Sequence, residues 1–400
     1  MADWSSLPSK LVGRIADCLL DTNDLDCYMD FRAVCPNWRS ATDNPKNSSD
    51  DLRFRPHCWI IIDEVFERKS RLLVNTISGR VVRKKLPLLR NYHVIATTHG
   101  GFFILADKEP PHAAVVLNPF TGHIIRYNTP VPSHVDVSAA ALSGLFTGML
   151  QARRGASELL SAPTLLLVSE TRFAVYMAVP GSKDFFDWVV EEEGDDKTFI
   201  LMRLAITGGL RAADSWGDGR VAPISAVVSH KIFSLMKLFG VDPSMIFDET
   251  PVSGTFTDFP ATGDATHFFM VESAGELFAI IKLPQHLKVF RLDNGEQLQP
   301  VKSIGGGRAI FVGYRRCISV STENFPSIAA DCVYYVKSTD SSLDIYKYDL
   351  EKETEEWVSE AIDSLNPITL SFASPPFTIV QRLSSYTINV RESQLPTERF

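Results

Sequence analysis

The stretch Gly101-Phe102-Phe103-Ile104-Leu105, with Val115-Val116-Leu117-Asn118-Pro119-Phe120-Thr121-Gly122 and His123-Ile124-Ile125 after it, decides how this chain folds. It spells strand, short gap, strand, polar turn, strand, and each apolar run is short and closed by Gly, Asn or Pro. The phrase returns as Glu276-Leu277-Phe278-Ala279-Ile280 followed by Val289-Phe290-Arg291-Leu292-Asp293-Asn294-Gly295. It returns again as Val333-Tyr334-Tyr335-Val336 and Ile345-Tyr346-Lys347-Tyr348-Asp349-Leu350, ending in Trp357-Val358. Weaker copies start near Leu165 and near Ile224, where residues 227–234 have the same pattern. Comparable starts lie roughly fifty to sixty residues apart, close to the spacing of kelch-type blades. A blade cannot bury both faces alone, so such units stack radially. Residues 57–400 are too many for one ordinary sandwich; a propeller of six blades, or seven, fits the length.

Ahead of the repeats the period changes from two to that of a helix. Ser6 is placed to cap and Pro8 to fill a first turn, and Leu11, Ile15 and Leu19 recur at i, i+4 and i+8, with Val12 and Ala16 widening the stripe. Asp21-Thr22-Asn23-Asp24 breaks this helix, and Asp26 falls in the next first turn, where a carboxylate suits the helix dipole. A second helix carries Leu25, Tyr28, Phe31 and Val34, and Pro36 ends it or starts a short third helix presenting Trp38. The expected organisation is a helical domain over 1–42, a polar linker over 43–56 and a β domain over 57–400. The overall class is therefore mainly β with a small α N-terminal domain. Few amphipathic helices are expected after residue 60.

Two resemblances follow from these residues. Leu7-Pro8-x-x-Leu11, Ile15 and Phe31-Arg32-Ala33-Val34-Cys35-Pro36-Asn37-Trp38-Arg39-Ser40-Ala41 resemble the plant F-box. In that family the motif folds as three short helices and binds the Skp-type adaptor of a cullin-RING ubiquitin ligase. The resemblance implies that Leu7, Pro8, Leu11, Ile15, Val34, Cys35 and Trp38 supply the adaptor-facing or hairpin-core surface. The run 304–313 with Cys317-Ile318-Ser319-Val320-Ser321 and Asp331-Cys332-Val333-Tyr334-Tyr335 is similar to a plant C-terminal domain found behind F-boxes, a propeller of the kelch-interacting, brassinosteroid-signalling type. Together they imply a substrate receptor that bridges a Skp adaptor, and through it cullin, to a protein target, in the cytoplasm or nucleus. Two alternatives stay open: a propeller scaffold or regulator whose hairpin packs on its own body, and a propeller hydrolase.

Composition narrows the partners. The chain has 400 residues, 45% hydrophobic and 22% charged, with a net charge of −8 that disfavours nucleic acid, whose phosphates require a dominant positive field. Arg80 to Lys85 therefore reads as a solvated strand face. The six cysteines lie far apart with no zinc spacing and read as reduced, mostly buried thiols. No leader or membrane-length apolar run is seen, the stretch 138–150 being broken by Gly144, Thr147 and Gly148. None of the nine histidines falls in a metal-binding pattern, and no nucleophile elbow occurs. Gly305-Gly306-Gly307 precedes a strand rather than a helix and reads as a tight turn instead of a phosphate cradle. The acidic runs at 191–196 and 351–356 read as solvated loops. Catalytic residues, metal and cofactor are thus all expected to be absent, and the target-binding residues are not legible.

Overall fold

The structure, a computed structural model, describes residues 4–46, 51–56, 58–64, 70–98, 100–133, 137, 139–143, 163–169, 174–189, 200–201, 205–207, 209–211, 214–215, 220–221, 257–258, 267–282, 287–293, 297–313, 316–338, 342–363, 376–389 and 394–395. Three helices open the chain: α1 (Ser9–Asp21), α2 (Leu25–Ala33) and α3 (Pro36–Ser40). Ser6 does not cap α1. It lies in a 3-10 turn over Trp4–Ser6, and Pro8, at φ −56°, is the N-cap, its carbonyl accepting from Leu11 and Val12 N–H. Asp24 caps α2 by accepting from Cys27 N–H at 3.1 Å, and Pro36 starts α3 where its missing N–H costs nothing.

Strands β1 (Trp59–Ile62), β2 (Ser70–Asn75) and β3 (Val81–Lys85) form a first antiparallel sheet. A second contains β4 (Tyr92–Thr97), β5 (Phe103–Asp107), β6 (Ala113–Leu117) and β7 (Ile124–Pro130). The third contains β8 (Ala139–Ser143), β9 (Thr164–Ser169), β10 (Ala174–Ala178) and β11 (Phe186–Val189). The short strands β12 (Ile200–Leu201), β13 (Ala205–Thr207), β14 (Gly209–Arg211), β15 (Asp214–Ser215), β16 (Arg220–Val221) and β17 (Thr257–Asp258) pair as β12 with β15, β13 with β14 and β16 with β17. A fourth sheet follows in β18 (His267–Ser273), β19 (Glu276–Lys282), β20 (Leu287–Asp293) and β21 (Gln297–Pro300). The fifth contains β22 (Arg308–Val312), β23 (Cys317–Ser321), β24 (Cys332–Ser338), β25 (Leu343–Asp349) and β26 (Thr354–Glu360), in the order β23-β22-β24-β25-β26 with β22 and β24 parallel. The repeat expected near 224 and the acidic run at 191–196 lie outside the described residues.

The apolar runs do not alternate with polar residues because these sheets are buried on both faces. On β5, Phe103 and Leu105 pack with the first sheet, whereas Ile104 and Ala106 pack with the third. On β22, Ile310 and Val312 face the fourth sheet and Ala309 and Phe311 face the first. Successive side chains of a strand point to opposite faces, so each short run supplies two cores at once. The fifth sheet packs on the first, as the last and first blades of a propeller do, and Ser321 N–H donates to Thr76 O across that junction at 2.9 Å.

Among the described residues a fourth helix, α4 (Ile379–Ile388), lies within the stretch assigned to the β domain, where few helices were expected. Thr378 and Gln381 form a reciprocal capping box, with Gln381 N–H donating to Thr378 Oγ1 at 3.2 Å and Thr378 N–H donating to Gln381 Oε1 at 3.0 Å. Val380, Leu383 and Tyr386 of α4 share the core between the first and fifth sheets. All six cysteines are free, but only Cys332 is buried and Cys18 is exposed, against the reading of mostly buried thiols. Among the described residues no helix is long and apolar enough to cross a membrane.

Candidate functional site

The helical unit has two faces with different fates. Val12, Ala16 and Leu20 of α1 are buried, and Ala16 and Leu20 join Leu25, Tyr28, Phe54, Trp59 and Phe120 in one core with the first and second sheets. Leu11 and Ile15, one residue away in the sequence, remain 45% and 42% exposed. The stripe read as Leu11, Ile15 and Leu19 therefore splits: Leu19 packs partly against the core that takes Ala16 and Leu20, Val12 is buried, and Leu11 and Ile15 stay outside. A helix advances about 100° per residue, so the two rows look in clearly different directions.

The rest of the outer surface is built by α2 and α3. Val34, at the C-cap of α2, is 61% exposed. Phe31 and Trp38 pack with tilted rings, centroids 4.4 Å apart, and Cys35 Sγ accepts from Trp38 N–H at 3.4 Å, so Cys35 acts as the cap of α3. The Trp38 indole N–H donates to Trp4 O at 3.1 Å, and Asn37 Nδ2 donates to Ser5 O at 3.2 Å, pinning the preceding turn. Trp4 itself is 67% exposed. Of the seven residues implied by the resemblance, Pro8, Leu11, Ile15 and Val34 are exposed, and Leu7, Cys35 and Trp38 are half-buried. Trp4 was not among them; an indole three positions before Leu7 was the available signal.

Polar contacts fix the unit to the β body. Arg80 on the approach to β3 reaches Asp24 at 2.7 Å and Asp26 at 2.9 Å, and Lys84 Nζ reaches Asp26 at 2.6 Å. Burial works against the Arg80 charge, but the carboxylates of Asp24 and Asp26 outweigh it and raise its pKa. Cys27 Sγ also contacts Arg80; burial, then the Asp24 carboxylate, push its thiol pKa up. Arg80 and Lys84 of the basic run are thus committed to the helices, whereas Arg83 pairs with Glu64 and Lys85 stays exposed on the strand face. The Trp59 indole donates to Asn23 O at 3.3 Å, Asn23 Nδ2 donates to Arg55 O at 3.1 Å, and Asn118 Nδ2 donates to Phe54 O at 2.8 Å. Within the connection, Phe54 is buried and Arg53 bonds Asp51 and Asp43, so residues 51–56 are held against the helical unit.

The other candidates resolve into structure. Gly305, Gly306 and Gly307 all have positive φ, at 77°, 61° and 60°, as a tight turn requires. Asp331 Oδ1 accepts from Ile304 N–H at 2.7 Å, Gly305 N–H at 3.2 Å and the Ser303 hydroxyl at 2.8 Å. The chain's own carboxylate holds this turn. The acidic run at 351–356 is part turn and part edge strand, where Glu355 pairs with Lys337 and Glu356 with Lys347. Among the described residues no three His, Cys, Asp or Glu side chains converge to hold a metal.

The sequence matches the KIB1-4 β-propeller family over residues 73–358. No curated protein matches it. Solved structures that resemble it include a 6-phosphogluconolactonase, so named as putative, from Bacteroides uniformis, 12% identical over 78% of this chain and 85% of the other, with a TM-score of 0.36. Its counterpart from Bacteroides fragilis is 11% identical over 76% and 82%, at a TM-score of 0.35. At such scores neither likeness bears on activity.

Proposed function

Since the chain belongs to the KIB1-4 β-propeller family, we propose that it is a substrate-recognition subunit of a Skp-cullin-F-box ubiquitin ligase, its helices docking the Skp-type adaptor and its propeller, of six or seven blades, holding a protein target. The observation that carries this reading is the outer face of the helical unit, where Leu11, Ile15 and Val34 stay exposed although the opposite face of α1 is fully packed. Exposed apolar groups on an ordered unit are the substrate of a protein interface. Transfer then follows from proximity to a conjugating enzyme carried by other subunits, and the chain itself contributes no catalytic group. The place of action is the cytoplasm or nucleus.

A second reading is a regulator that recruits no ligase. It is favoured by the core that the helices share with the first two sheets. A pull-down with purified Skp-type adaptor separates the two. The receptor reading expects capture by the intact chain and a loss of at least about 1 to 2 kcal/mol of binding free energy in the Leu7→Ala, Pro8→Ala double variant. Absence of capture by the intact chain supports the regulator, and equal capture by both forms refutes the assignment of Leu7 and Pro8.

A further inference from the structure

The second sheet ends on β4, and β4 touches β8, the corresponding edge strand of the third sheet. Edge strands that meet in a radial array line its axis. The β4 edge is irregular there: the register with β5 shifts between Val94 and Ala96, leaving Ile95 as an extra residue. Such bulges end regular pairing and re-aim side chains. At this point the edge is covered by the chain's own C-terminal region. Gln394 N–H donates to Val94 O at 2.9 Å, and Val94 N–H donates to Gln394 Oε1 at 3.1 Å, so backbone and side chain of one residue satisfy both Val94 groups. Leu395 is buried beside Ile95, Val137 and Ala140, between the second and third sheets. These residues lie 300 positions apart in the sequence.

This is the arrangement by which an extended peptide adds to a sheet edge: main-chain bonds hold it, and a pocket reads the side chain beyond. We propose that the Val94 edge of β4 is a peptide-recognition site occupied in cis, and that its partner is an extended protein segment carrying a Gln followed by a branched apolar residue, which displaces Gln394 and Leu395. The proposal rests on the reading of the propeller as the target-holding part. It goes further by giving the chemistry of what is held. The bond made by the Gln side chain to Val94 N–H selects an amide, since an aliphatic residue would leave that N–H without its acceptor. The site between the sheets selects the apolar neighbour.

The test uses the full chain, its Gln394→Ala, Leu395→Ala variant, and a fluorescent peptide of residues 391–397 (Arg-Glu-Ser-Gln-Leu-Pro-Thr). In anisotropy titrations the variant binds the peptide at least about tenfold more tightly than the unaltered chain, and a peptide with Ala in place of the Gln binds about two- to tenfold more weakly. In hydrogen exchange the Val94 amide opens faster in the variant and is slowed again by the peptide. Equal affinity of variant and unaltered chain overturns the proposal. So does a variant that folds but binds no peptide. If the double variant and Gln394→Ala alone both lose cooperative unfolding, the segment is a structural part of the ring and the proposal also fails. No adaptor enters the experiment, so its outcome is independent of the docking face on the helices.

Discussion

On one face of the first sheet, Trp59, Ile61 and Leu73 meet the N-terminal helices and the second sheet; on the other, Ile60, Ile62, Leu72 and Val74 meet the fifth sheet and α4. Adjacent residues of the same strands serve both. The first junction adds charge to its apolar core, with Arg80 and Lys84 gripping Asp24 and Asp26, and the Trp59 indole bonding Asn23. The second leans more on packing and main-chain bonds, Ser321 N–H to Thr76 O at 2.9 Å and Arg316 N–H to Thr387 O at 3.1 Å, together with an ion pair from Arg382 of α4 to Glu64 at 3.2 Å. Gly313 lies so close to α4 that a Cβ would sit 2.3 Å from Thr387 backbone atoms. The difference teaches that the helices are oriented by a cluster of ion pairs on two carboxylates, whereas closure of the ring rests mainly on shape and main-chain bonds. Under the proposed adaptor-docking role the unit must point one way, and directional contacts do this better than apolar area alone.

Breaking the two junctions should give different signatures. The largest effect is expected from Trp59→Ala, which removes a fully buried indole and its bond to Asn23; denaturant titration should show a loss of about 3 to 5 kcal/mol. On the other face Leu383→Ala leaves a cavity in the closing core and should cost about 2 to 5 kcal/mol, with little dependence on salt. Asp26→Asn sharpens the contrast. Arg80 and Lys84 keep side-chain exposures of 29% and 20%, so the cost is discounted for screening to about 1 to 3 kcal/mol, and it should shrink as salt is raised. Salt-independent destabilisation in that variant would show that Asp26 acts by packing.

The smallest effect is a pH response carried by the closing face. Burial raises the pKa of Tyr386 above the usual phenol value, with the nearby Arg316 opposing. A group raised in the fold contributes stability that is complete below its unfolded pKa, near 10, and is lost as pH rises toward the folded value. Thermal melts above pH 10 should therefore fall less steeply for Tyr386→Phe than for the unaltered chain. Parallel curves would place the alkaline loss elsewhere, Tyr127 and Tyr335 being the first candidates because burial raises their phenols strongly.

Much of this was legible in short strings. Trp59-Ile60-Ile61-Ile62 and Phe103-Ile104-Leu105 read as short strands bounded by turn residues, and strands they are, in sheets buried on both faces. The helical breaks at Asp24 and Pro36 were equally plain, since capping and proline act locally. What failed was not local. A stripe as wide as Leu11, Val12, Ile15 and Ala16 does not say which edge turns inward; that depends on Trp59 and Phe120, far along the chain. The pairing of Arg80 with Asp24 spans 56 positions and leaves no pattern behind. The miss at α4 was avoidable, because Thr378-Ile379-Val380-Gln381 is a capping-box string. Gln394 on Val94 had no sequence signal at all.

The central claim is that the two edges of α1 have separate tasks, the outer one reserved for a partner and the inner one for the fold. Calorimetric titration of purified Skp-type adaptor into the unaltered chain, Leu11→Asp and Val12→Asp, with a thermal melt of each, tests it directly. The account predicts adaptor affinity at least about tenfold weaker for Leu11→Asp at an unchanged melting temperature, since exposed substitutions shift stability by only about 0.5 kcal/mol, and a clearly lowered melting temperature for Val12→Asp. Undiminished affinity in Leu11→Asp, or a fall in its melting temperature as large as that of Val12→Asp, would contradict it.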